Sequence, residues 1–99
     1  MTDFQISAAS MADMIAASKM INNWREPDPD VPGDVGGFIG SSRMGDGSVF
    51  ALLIESSPRA DGRVYGIGRW WPIDGVTPPP SPPGVLVEPL PDNSPIKWA

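Results

Sequence analysis

Glu26, Asp28, Asp30 and Asp34 stand close enough in the chain to offer several oxygen ligands to a hard cation such as calcium. The alternating acids, central Gly and closing Glu of a calcium loop are missing, however, and Pro27, Pro29 and Pro32 stiffen the backbone between the carboxylates. A solvated acidic connector is the expectation. Asp46 and Asp61 could form a general acid–base pair. Each sits beside Gly in a predicted turn, where Asp is favoured for backbone reasons alone. Gly66-Ile67-Gly68 begins like a dinucleotide fingerprint, but the third Gly is absent and Pro72 follows instead of a helix. Its glycines are expected in a strand, where they let bulky neighbours approach. Ser41, Ser42, Ser56 and Ser57 have no His to activate them and no Lys close in sequence.

The chain contains no His and no Cys. Imidazole bases, thiolate nucleophiles, disulfides and nearly all transition-metal sites are therefore unavailable to it. The expectation is a non-enzymatic protein with no cofactor and no metal. A catalytic reading would need a deep pocket that gathers Asp61, Arg63 and Arg69, or a bound metal.

A length of 99 residues suits one domain. The net charge of −5 is repelled by phosphate backbones and anionic membranes, so nucleic acid is not an expected partner. The 12 acidic residues are spread too thinly for a nucleic-acid mimic. MTDFQISAAS has no basic stretch ahead of an apolar run, so no signal peptide is expected there. The longest apolar run, Val49 to Ile54, is too short to cross a bilayer, and no membrane insertion is expected.

The elements that would position these residues fall into two regions. Over residues 7–25, Met11, Met14, Ile15, Ser18, Ile21 and Trp24 recur at spacings of three and four, which predicts one amphipathic helix. Ser7 or Ser10 would cap it, and Pro27 would end it. A turn-rich connector follows over 26–37. Strands are predicted over 38–44, 48–56 and 63–71, separated by the turns at Gly45-Asp46-Gly47 and Ser57–Gly62. The fold class expected is α+β: an N-terminal helix packed on a small three-stranded antiparallel meander, forming a compact head over 1–71. Nine of the 13 prolines then lie between Pro72 and Pro95, predicting an extended arm over 72–99 with polyproline II character around PPPSPPG. Val85-Leu86-Val87 could form a short edge strand within it. The PxxP spacing lacks a nearby flanking base, so a stiff spacer or strap is expected instead of a ligand for an SH3 domain.

The central strand is apolar on both sides, with Phe50, Leu52 and Ile54 facing one way and Val49, Ala51 and Leu53 the other. One helix covers one face, so the second must be covered by the arm or by another chain. Trp70 and Trp71 face opposite sides, and only one of them can enter a single-sided core. The residues expected to meet a partner are Arg69, Trp70, Trp71, Val85, Leu86, Val87, Ile96 and Trp98. The function expected is that of a structural or assembly protein docking on a larger complex, or forming a homo-oligomer, with removal of residues 78–99 leaving the head folded. An accessory or decoration protein of a virus particle is the architectural analogy. The alternative is a small acidic regulatory or inhibitory protein that binds one target.

Overall fold

Phe4, Ile6 and Ala8 alternate with Asp3, Gln5 and Ser7, a period of two that places the N-terminus in a strand. The computed structural model describes residues 1–98; Ala99, the last residue of the expected arm, lies outside them. Strand β1 (Thr2–Ala8) leads into helix α1 (Met11–Met20) and a two-residue strand β2 (Trp24–Arg25). Strands β3 (Gly37–Phe38), β4 (Ser41–Arg43), β5 (Val49–Ile54), β6 (Val64–Trp71) and β7 (Val85–Pro89) follow.

The protein is mostly β, which overturns the helix-on-meander expectation. A five-stranded sheet in the order β4-β5-β6-β1-β7 is antiparallel throughout, and β2 and β3 form a separate two-stranded ribbon. Three strands of the sheet, β4-β5-β6, are consecutive. The other two come from segments expected elsewhere: β1 from the predicted helix cap, and β7 from the predicted arm. β1 pairs with β6 on one side and β7 on the other, so the N-terminal segment lies inside the sheet and not beside it.

The predicted helix over 7–25 shortens to ten residues. Ser7 belongs to β1 and is buried. Ser10 is the N-cap, its hydroxyl accepting from the Asp13 amide at 3.2 Å. At the other end Asn22 takes a left-handed backbone, φ 57°, a conformation that Asn tolerates and that terminates the helix. Met14 and Ser18 point into the core from α1 itself, whereas Ile21 reaches it from the turn beyond. Trp24 leaves altogether and packs edge-on against Phe38 in the ribbon, centroids 5.2 Å apart.

The register assigns the two sheet faces. The inner face carries Phe4, Ile6, Phe50, Leu52, Val64 and Trp70, all buried around Met14 and Ile21. Gly68 lies opposite both Phe4 and Leu52 on this face, and an added Cβ would stand 2.1 Å from the Phe4 ring. The bare backbone makes room for an aromatic.

The proline-rich segment is not a free arm. The Trp70 indole donates to the Thr77 carbonyl at 2.9 Å, Pro82 is buried, and Pro79 shares a cleft with Phe4 and Val87. Residues 76–84 thus cross the inner face beyond the reach of α1 and deliver the chain to β7. The turn that launches them is tied by Asp74, which accepts from the Val76 and Thr77 amides and the Thr77 hydroxyl. These donors hold the Asp74 carboxyl down at about 2. A depressed carboxylate stabilises the fold fully above its unfolded value near 3.8 and loses that contribution as pH falls through the folded one. The gap in thermal midpoint between Asp74→Ala and the parent should therefore be open at pH 7 and narrow between about pH 4 and 2. A gap independent of pH, measured by circular dichroism melts, would contradict this.

Candidate functional site

Asp3, Gln5 and Ser7 from β1 share the outer face with Tyr65, Ile67, Arg69 and Trp71 from β6 and with Val49, Ala51 and Leu53 from β5; Arg63, just before β6, reaches Ser7 on the same face. The face divides into a polar half and an apolar half. The polar half, over β7, β1 and the flanking side of β6, is a ladder of cross-strand pairs. Gln5 donates to Glu88 at 2.7 Å, Arg63 donates to the Ser7 hydroxyl, and Arg69 forms a two-pronged ion pair with Asp3 at 2.6 and 3.0 Å. The Arg69 guanidinium holds the Asp3 carboxyl below its ordinary range. At the far end of β6, Tyr65 donates to Asp61, and Arg59 lies 3.9 Å from the Tyr65 ring centroid while paired with Glu55. The three residues that a catalytic pocket would require are not gathered: Arg63, just before β6, and Arg69, near its end, are six residues apart along extended chain, about 20 Å.

The apolar half is a strip along β5 and the end of β6. Val49 lies directly opposite Trp71, and Ala51 and Leu53 continue the row on the same face. Leu53 is 46% exposed and Trp71 40%, and Ile73, just past the end of β6, is 68% exposed. Of the adjacent tryptophans, Trp70 enters the core at 4% exposure and Trp71 faces outward.

Other predicted contact residues are placed differently. Val85 and Val87 turn inward and pack against the core; Leu86, between them, is exposed on the outer face. The C-terminal segment returns over the β1–β6 part of the outer face. Trp98 stacks with its ring centroid 5.2 Å from the Arg69 guanidinium carbon. Leu90, Pro91 and Lys97 line an open cleft of about 270 Å³ with Asp3, Arg69 and Trp98. Ile96 is half-buried beside it in sequence, its amide and carbonyl both bonded to the Ser94 hydroxyl. Arg69, Trp98 and Asp3 are therefore one constellation, whereas Val85 and Val87 belong to the core.

The acidic connector is tied to itself. Asp34 accepts a two-pronged pair from Arg25 at 2.8 and 2.9 Å and further bonds from the Asp28 and Gly36 amides. The Arg25 pairing, with the two amides, holds the Asp34 carboxyl far below the usual carboxylate range. Among the described residues, no group of three or more acidic, His or Cys side chains is placed to hold a metal ion. No helix among them is long and apolar enough to cross a membrane. Leu53 and Ile73 were not among the contact residues read from sequence; the two-sided apolarity of residues 49–54 was the signal for Leu53, and Ile73 had none.

No protein-family model, no curated protein and no solved structure matches the chain.

Proposed function

We propose that the protein is a non-enzymatic docking protein of a larger assembly, attached through the apolar strip Val49-Ala51-Leu53 with Trp71 as its anchor. The observation that carries this reading is the position of Trp71. Trp71, 40% exposed, stands directly opposite Val49 at one end of a strip whose other end is Leu53, on a strand whose other face is fully buried. Isolated exposed apolar residues are ordinary, but a contiguous row on two paired strands with a tryptophan in it has the composition of an interface centre. The net charge of −5 and the partly exposed Arg63, Tyr65 and Arg69 on the same face give the strip a polar surround. A particle built of many repeated subunits, such as a virus capsid, would offer the flat apolar partner surface this strip fits. The alternative of an inhibitor acting through its acidic connector has less support, because Asp34 is spent on Arg25 and on its own loop.

A photo-crosslinking residue at position 53 or 71, introduced in the cells that produce the protein, tests the reading. Covalent species of discrete higher mass are expected from both positions and not from an equally exposed position such as Ala60. Recovery of the uncrosslinked chain alone from positions 53 and 71 would overturn it. The double variant Leu53→Lys/Trp71→Lys should remain folded and lose at least about tenfold in association, the cost of placing charges in a desolvated contact.

A further inference from the structure

We propose that the segment Leu90–Trp98 is exchanged between copies of the chain, the tail of one copy filling on a second the site it fills on its own. The proposal deepens the assembly reading above and rests on it for its purpose, though not for its geometry.

The occupant is defined by the site itself, where the Trp98 ring lies over Arg69 and the tail forms one wall of the cleft they share with Asp3. Whatever chain supplies it, the contact is the same, so moving the tail to a neighbour conserves that energy. Release from its own chain is cheap. Among the described residues, every hydrogen bond made by residues 90–98 stays within the tail: Ser94 to the Pro91 carbonyl, and Ser94 with Ile96. No ladder bond or ion pair to the sheet has to break. The tail is held by side-chain packing and one cation–π contact, the profile of a segment that opens locally while the sheet stays intact.

One feature disfavours the folded-back arrangement. The tail reverses direction through the Pro91–Ser94 turn although Pro89, Pro91 and Pro95 bias it towards extension. Straightened, the nine residues from Leu90 to Trp98 reach about 30 Å, enough to cross onto an abutting copy. Their root is β7, an edge strand of the sheet, so two copies meeting along β7 around a twofold axis would each place a tail on the other's outer face.

Competition from the tail's own chain sets the conditions. A short tether presents Trp98 to its own site at an effective concentration on the order of millimolar, so exchange emerges when copies are crowded to that level, as on a scaffold.

The sequence has no Cys, which makes the test clean. One chain carries Asp3→Cys alone and another Lys97→Cys alone, positions that line the same cleft. The two are mixed over a concentration series, treated with a short bis-maleimide, and analysed by peptide mapping after folding is checked by circular dichroism. A 3–97 link between these chains can arise only in trans. It should rise with concentration, exceed a control pairing of Lys97→Cys with Ala60→Cys about tenfold, and fall to the control level when Trp98→Ala is added. A 3–97 link no stronger than control at millimolar protein overturns the exchange. A doubly substituted chain that links only within itself at every concentration does so too, as does one that gives no link at all. Persistence of the trans link in the Leu53→Lys/Trp71→Lys background separates the two proposals. Exchange then stands whether or not the strip docks, while capture from position 53 without a 3–97 link leaves docking standing and exchange refuted.

Discussion

Gly68→Ala is expected to lower the thermal midpoint by roughly 10–20 °C, the equivalent of about 3 kcal/mol of overpacking in a domain this size. The added methyl would lie 2.1 to 2.7 Å from three atoms of the Phe4 ring. Phe4 cannot retreat. It is 2% exposed, meets Phe50 edge-on at 5.2 Å, and Phe50 in turn leans on Trp70 at 5.9 Å. Its strand is pinned on both sides by β6 and β7, so the clash passes into the centre of the sheet. Gly45→Ala is the control, since nothing lies within 4 Å of its added Cβ and its φ is not positive; no shift is expected. Shrinking the ring should relieve the clash, so Phe4→Leu should cost less in the Gly68→Ala background than in the parent. Additive costs in scanning calorimetry would show that the glycine is not there for the ring.

Truncation after Thr77 should abolish cooperative unfolding, where the sequence alone had predicted a head that folds without residues 78–99. The cut removes β7 and with it one of the two strands that pair with Phe4 through Ala8. It also removes Val85 and Val87 from the core and strips the proline segment from above Phe4. Partial exposure of Phe4 and Ile6 plus loss of two valines costs about 5 kcal/mol, comparable to the whole stability of a small domain. Truncation after Pro89, by contrast, takes only the tail and spares every strand of the sheet. That chain should keep a cooperative melt and expose Arg69. The pair of truncations, followed by amide exchange at Phe4–Ala8, separates structural strand from removable tail; equal protection in both chains would refute the division.

The same contrast marks how far the sequence could be read. The strands 49–54 and 64–71 were legible because an apolar run and its return are separated by an unambiguous turn, and sequence-local hairpins need no distant partner. β1 was obscured because its alternation is short, and because Ser7 and Ser10 are both plausible caps for the helix that follows. In β7 the three apolar residues were visible, but their pairing with Phe4–Ala8, some eighty positions away, is not encoded in any local period.

Of the candidate site, the opposition of Trp70 and Trp71 followed from strand alternation. The partnership of Trp98, Arg69 and Asp3 did not, because cross-strand register and the path of an irregular tail decide it.

By itself the sequence determined the chemical inventory: no imidazole or thiol, an acidic surface, a proline-stiffened C-terminal third, and apolar residues on both sides of one strand. Those are properties of residue types and near neighbours, settled by covalent chemistry and local sterics. Only the tertiary structure decided that the N-terminus would fill the middle of the sheet, that the prolines would strap the inner face, and that Leu53 and Trp71 would be left in water. Burial is shared among segments far apart in the chain. Which apolar residues find cover depends on the global packing that closes first over the strongest core, here the one around Phe4, Phe50 and Trp70.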